Sequence, residues 1–176
     1  MPPIVTIDDL RRRARRRLPR AVFDYIDGGA EDELTVRANR QALARLTLRP
    51  RMLVDVGSRP DLGTTVLGQH LALPLILAPA GLVGLFWPNG EVAAARAAGR
   101  FGTIFSLSTL SVASLEEVAA GAPGTPLWFQ LYVFRDRELS RALVERARAA
   151  GYTALCVTVD VQTACIQGID SFDKLD

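Results

Sequence analysis

The sequence is poor in the residues that declare a chemistry on their own. Its 176 residues hold one histidine and two cysteines. Cys156 and Cys165 are too few for a disulfide framework or a zinc site, and Cys156, inside the apolar run Ala154 to Val159, reads as a small buried hydrophobe. No stretch reaches the roughly 18 consecutive apolar residues of a membrane helix: the longest apolar region, Leu71 to Phe86, is broken by Pro74, Pro79 and glycines. The N-terminus, Met1-Pro2-Pro3 followed by arginines, has no hydrophobic run and cleavage site of a secretory signal. A soluble cytoplasmic protein is therefore expected, with peripheral contact on the inner membrane face as the variant of that expectation. A G-x-G-x-x-G turn, the mark of a dinucleotide-binding fold, is also missing.

What is present describes a globular chain. Hydrophobic residues make up 49% and charged residues 23%, a balance that excludes disordered and fibrous classes, and the length suits roughly one domain. Net charge is only +2, yet Arg11, Arg12, Arg13, Arg15, Arg16, Arg17 and Arg20 fall within ten positions. Such a block reads either as a solvated helix face or as a patch for an anionic surface. No aromatic residue interleaves with it, so base stacking has no platform and nucleic acid is not expected as a partner.

The N-terminal third reads as helical. Thr6 is a helix N-cap, with Asp8 and Asp9 in the first turn where negative charge suits the dipole, and the helix runs to about Leu18. Pro19 opens a second helix, stopped by Gly28-Gly29. A third is expected from about Glu31 to Leu43, an extended segment from Leu46 to Val56, and a small hairpin whose strands flank Gly68-Gln69. From Pro74 the pattern becomes regular: strands at 75–78, 103–107, 127–133 and 154–159 alternate with helices at 91–98, 114–120 and 137–150. That rhythm implies a parallel sheet covered by helices. It fits a doubly wound fold or a (β/α)8 barrel. The turn Ala78-Pro79-Ala80-Gly81 disfavours the first, while polar residues at strand ends (Ser106, Ser108, Thr109; Gln130, Tyr132; Thr158, Asp160) favour the second, because barrel active sites form there. Only four strand units fit, so the fold class expected is α/β, a half barrel preceded by helices and a hairpin.

Gln130 and Tyr132, two apart on one strand, share a face, with Phe129 and Leu131 turned toward the helices. A buried glutamine needs hydrogen-bond partners, and a ligand or a neighbouring core residue would serve equally; Thr158 poses the same choice.

The run Phe23-Asp24-Tyr25-Ile26-Asp27-Gly28-Gly29-Ala30-Glu31-Asp32-Glu33 resembles the N-terminal motif of the FMN-dependent 2-hydroxy-acid dehydrogenases and oxidases, among them L-lactate dehydrogenase, glycolate oxidase and mandelate dehydrogenase. The resemblance continues in order through Leu48-Arg49-Pro50-Arg51, Pro74 to Gly81, Leu107-Ser108-Thr109, Trp128 to Val133 and Thr158-Val159-Asp160. It implies a (β/α)8 barrel with FMN as cofactor, and division into an N-terminal segment with hairpin (1–73), the first four barrel units (74–160) and a non-family tail (161–176). By that resemblance Ala78, Pro79 and Ala80 contact the flavin ring, and Ser108, Gln130 and Thr158 hydrogen-bond it. Tyr25 binds the substrate carboxylate and Tyr132 lies near the substrate hydroxyl. The implied reaction is oxidation of an (S)-2-hydroxy acid to a 2-oxo acid, with the flavin doing the redox work no side chain can do. Gly81 and Leu110 hint at a larger or aromatic substrate, although Gly81 equally suits a tight turn. Family members commonly form homo-oligomers.

After Asp160 the resemblance ends. The family's catalytic histidine, substrate-binding arginines, flavin-side lysine and phosphate site would all come later, and His70, in the hairpin, does not match the family's base. The expectation is a truncated or frameshifted chain, inactive as it stands. The alternatives are a non-catalytic half-barrel that docks on a partner, or an anionic-surface binder acting through the arginine-rich helix.

Overall fold

The computed structural model describes residues 3–55, 57 and 61–160. They divide into two compact units, one up to Val54 and one from Asp55 onward. Residues 161–176, including Cys165 and the expected tail, lie outside the described residues.

In the first unit, helix α1 (Ile7–Arg17) starts at Thr6, whose hydroxyl accepts from the Asp9 N–H at 3.2 Å while the Asp9 carboxylate accepts from the Thr6 N–H at 2.9 Å. This is a capping box with aspartate in the place usually held by Glu or Gln. Helix α2 (Arg20–Asp27) follows Pro19 and ends at Gly28. The arginine block is partly engaged within the unit. Arg11 grips Asp27 through Nε and Nη2 at 2.5 and 2.8 Å, tying α1 to α2, and Arg12 pairs with Asp8 and Asp9. Helix α3 (Leu34–Ala44) begins three residues later than expected, because Glu31 and Glu33 both take left-handed backbone (φ 47° and 56°), which a helix cannot include. The extended segment expected from Leu46 is not a strand among the described residues: a turn interrupts it at Met52-Leu53, with Leu53 at φ 58°.

The second unit opens with the hairpin β1 (Thr64–Val66) and β2 (Gln69–Leu71), paired antiparallel with Val66 opposite Gln69. Its turn is Leu67-Gly68, one residue earlier than the sequence suggests. Both residues have positive φ (48° and 77°), the geometry that matches strand twist in a two-residue hairpin.

Four strands then form one parallel sheet in the order β3 (Ile76–Leu77), β4 (Ile104–Ser108), β5 (Leu127–Tyr132), β6 (Ala154–Thr158). Helices α5 (Gly90–Arg100), α6 (Leu115–Gly121) and α7 (Arg137–Ala149) fall between them, and a one-turn helix α4 (Val83–Phe86) precedes α5. The sequence does not announce α4, since four residues are too few to show a helical period.

Strand alternation places Phe105, Leu107, Phe129 and Leu131 on the helix side, where they form the main core with Ala95, Ala98, Leu115, Val118 and Ala147. At about 1.5–3 kcal/mol for each large side chain removed from water, this layer is what holds the sheet to its helices. At Gly99 an added Cβ would lie 2.3 Å from the Thr125 hydroxyl, so α5 passes the next loop at backbone distance. On the opposite face Ile104 and Trp128 pack with Leu71 of the hairpin, and Cys156 is partly buried against that cluster rather than fully buried. The hairpin sits at the N-terminal ends of the strands. Ala72 donates to the Gly102 carbonyl, while Trp128 Nε1 and the Thr153 hydroxyl both donate to Gln69. The outer face of β6 is open, with Leu155 and Val157 exposed. The sheet has four parallel strands with the strand–helix alternation of a (β/α)8 barrel, half the number such a barrel closes with.

Helices α6 and α7 are joined by Arg146, whose Nε and Nη2 donate to both Glu116 oxygens at 2.9 Å. The guanidinium lowers the Glu116 carboxyl from 4.5 to about 2. A depressed carboxylate stabilises the fold above its ordinary pKa and loses that contribution as pH falls through the folded value, here from about 4.5 down to about 2. An NMR titration of the Glu116 side chain is expected to give a midpoint near 2 and, in Arg146→Met, one returned toward 4.5. A wild-type midpoint already at 4.5 would show that solvent screens the pair.

Candidate functional site

Because all four strands run the same way, their C-terminal ends share one edge of the sheet, and inward-facing side chains there form a row. Ser108 lies opposite Gln130 in the register, and Tyr132 opposite Thr158. Ser108 and Gln130 are buried, and Thr158 and Tyr132 partly so.

Three of the expected residues form one hydrogen-bonded chain. The Ser108 hydroxyl donates to Gln130 Oε1 at 3.2 Å, and Gln130 Nε2 donates to the Thr158 hydroxyl at 2.7 Å. Gln130 Oε1 also accepts from the Thr109 N–H at 3.1 Å. Thr109, outside the expected set, proves central. Its hydroxyl donates to the Gln130 carbonyl at 2.5 Å and accepts from the Tyr132 N–H at 3.1 Å, which pins the loop after β4 to the end of β5. The Leu110 N–H donates to the Ser108 hydroxyl at 3.1 Å. The demand of a buried glutamine for partners is thus met by its neighbours. The second Nε2 hydrogen of Gln130 and the Thr158 O–H have no further acceptor among the described hydrogen bonds. One layer below, the Ser106 hydroxyl is buried with no partner among the described residues.

Ala78, Pro79 and Ala80 follow β3 at the same end and are exposed, forming a small apolar turn beside the polar row. The next loop closes on its neighbour: the Leu82 N–H donates to the Leu110 carbonyl at 2.9 Å, and a Cβ added to Gly81 would lie 3.2 Å from Leu110 Cβ. The structure therefore brings Ala78, Pro79, Ala80, Ser108, Gln130, Tyr132 and Thr158 together in the second unit. Tyr25 lies on α2 in the first unit and is 43% exposed. His70 is an exposed residue of β2, in the hairpin at the N-terminal strand ends, the opposite end of the strands from the polar row. Glu91, read from sequence only as the start of a helix, is buried at the foot of these loops.

An apolar turn and a row of amide and hydroxyl groups gather at the C-terminal ends of parallel βα units, the end at which (β/α)8 proteins build their sites. Comparison with known proteins makes the class specific. The family described as FMN-dependent dehydrogenase matches residues 14–168, and the chain belongs to that family. The L-lactate dehydrogenase of Caulobacter vibrioides is 54% identical over 153 residues, covering 87% of this chain and 39% of that protein. Glycolate oxidase 3 of Oryza sativa subsp. japonica is 44% identical over 157 residues, covering 89% and 42%. Among solved structures, a soluble mutant of the membrane-associated (S)-mandelate dehydrogenase from Pseudomonas putida superposes with a TM-score of 0.88 at 42% identity, covering 94% of this chain and 47% of that one. The chain spans about two-fifths of the length of the curated relatives it matches. Among the described residues no helix is long and apolar enough to cross a membrane.

Proposed function

We propose that this chain supplies the first four strands of an FMN site in an enzyme that oxidises an (S)-2-hydroxy acid to the 2-oxo acid. The observation that carries this reading is the Ser108–Gln130–Thr158 chain at the strand ends. FMN fits what is there. The ring of a flavin has an apolar face and a polar edge of alternating donors and acceptors. The Ala78-Pro79-Ala80 turn suits the face, and the remaining donors of Gln130 and Thr158, beside Ser108, suit the edge. When bound, FMN supplies the two-electron acceptor that no side chain provides.

The chain's own residues then orient and bind. Gln130 is fixed by hydrogen bonds at both ends of its amide, so its second Nε2 hydrogen points in a set direction before any ligand arrives, which lowers the ordering cost of binding. By family resemblance Tyr132, at the end of the same strand, is assigned to the substrate hydroxyl and Tyr25 to the substrate carboxylate. His70 is excluded as the base, since a base must lie within hydrogen-bond reach of the proton it removes. Residues 74–160 form the cofactor-binding part in this reading, and a small 2-hydroxy acid is the substrate class.

Titration of the full chain with FMN, followed by flavin fluorescence and absorbance, tests the proposal. Saturable binding at one flavin per chain, weakened at least about tenfold in Gln130→Leu for the loss of a buried hydrogen bond, is the expected result. Wild-type chain that is folded by circular dichroism yet leaves flavin fluorescence unchanged would refute it.

A further inference from the structure

Glu91 is the second residue of α5 and is 1% exposed. Its Oε1 accepts two backbone N–H groups from two different loops, Gly84 on α4 and Val112 after β4, each at 3.0 Å. Burial raises the carboxyl pKa, but the N–H groups of Glu91 itself, Gly84 and Val112, together with the nearby Ser111 hydroxyl, outweigh it, so the pKa lies below the ordinary glutamate value. The N-terminus of α5 favours the same charge. No arginine or lysine is among its hydrogen-bond partners, and Oε2 has no partner among the described residues. A buried carboxylate held this way is costly to keep, so its geometry must be maintained by the backbone it grips.

The loops it grips are the two that wall the candidate site. One carries Ala78-Pro79-Ala80 and continues through Gly81 to Gly84. The other carries Thr109 and Leu110 and continues to Val112. They approach to backbone distance: a Cβ on Gly84 would lie 2.8 Å from Val112 Cβ and 3.2 Å from Glu91 Oε2. The Leu82–Leu110 hydrogen bond joins them nearer the mouth.

We propose that Glu91 is a positioning residue, a carboxylate bracket that fixes the loop after β3 against the loop after β4 and so sets the spacing between the Pro79-Ala80 turn and Leu110 at the mouth of the flavin site. It touches neither cofactor nor substrate and acts through the two loops. The role at the mouth rests on the FMN reading; the bracket itself does not.

The test is amide hydrogen exchange on the full 176-residue chain, read at Gly84 and Val112, in the wild type, Glu91→Gln and Glu91→Ala, with FMN titration of each. In the wild type both amides are expected to exchange at least about tenfold more slowly than the Gly68 amide in the hairpin turn, as hydrogen-bonded buried amides do. Glu91→Ala is expected to lose that protection while Leu107 and Phe129 in the core keep theirs, and to weaken FMN by about tenfold or more. Glu91→Gln retains an acceptor and is expected to recover most of the protection and of the affinity, which a general loss of stability would not do. Fast exchange of Gly84 and Val112 in the wild type overturns the bracket, whether or not the alanine variant folds. Loosened amides in Glu91→Ala with unchanged FMN affinity overturn its role at the mouth. A wild type that binds no flavin counts against the functional reading, and the exchange data then decide the bracket alone.

Discussion

Replacing Gln130 by leucine is expected to destabilise the fold by about 2–4 kcal/mol, although leucine matches its size and is more apolar. The reason is what the substitution leaves behind. Gln130 Oε1 accepts from the Ser108 hydroxyl and the Thr109 N–H, and Nε2 donates to Thr158. Removing the amide strands a buried hydroxyl and a backbone N–H, and each unmet buried group costs about 1–3 kcal/mol. Part is regained because the Ser108 hydroxyl can rotate and leucine buries well. Thr109 holds β5 through a separate bond to the Gln130 carbonyl, which survives the substitution, so the fold is expected to persist with a lower urea midpoint. A change under about 0.5 kcal/mol, the range of ordinary surface substitutions, would mean that water already satisfies these groups and that the row is not a built network.

A larger effect is expected one residue earlier in the chain. Phe129 is 2% exposed on the helix side of β5, and its ring meets Tyr152 edge-on, with centroids 6.2 Å apart and planes at 76°. Phe129→Ala is expected to cost about 3–5 kcal/mol, against a typical total of roughly 5–15 kcal/mol for a domain. Tyr152 cannot slide into the space, because its hydroxyl is held at 3.1 Å by the Leu115 carbonyl and burial raises its pKa, keeping it a neutral donor. Paired with Tyr152→Leu in a double-mutant cycle, the two rings are expected to show a coupling of about 0.5–1.5 kcal/mol beyond burial. A single-mutant loss below about 1.5 kcal/mol would indicate that the helices collapse onto the sheet and fill the void.

These neighbouring residues also show how far the sequence could be read. Alternation along Trp128 to Tyr132 assigned Phe129 to the helix side and Gln130 to the interior, and both lie there. The parallel sheet was legible for the same reason, since four short apolar runs recur between helical patterns. What alternation could not decide was whether a ligand or a neighbour satisfies Gln130. That depends on the register of β4 against β5, a property of two segments about 20 residues apart. The hairpin turn was misplaced by one residue because Gly68 fits either register, and only the left-handed Leu67 distinguishes them. Glu91 was invisible for a different reason. An acidic residue in the first turn of a helix is ordinary, and nothing local reveals that two distant loops donate to it.

The order of the sheet has a further consequence. In this sheet β4, β5 and β6 each pair with the strand made just before them, across crossovers of one helix or, between β3 and β4, a one-turn helix and a longer one. Within these four strands a chain leaving the ribosome meets each pairing partner already made: β3 is available when β4 emerges, and β4 when β5 does. Synthesis and assembly of the sheet share one direction, and its strand pairings join successive strands, the arrangement that favours rapid folding. The growing edge is always the newest strand, and on β6 that strand still carries Leu155 and Val157 exposed on its outer face.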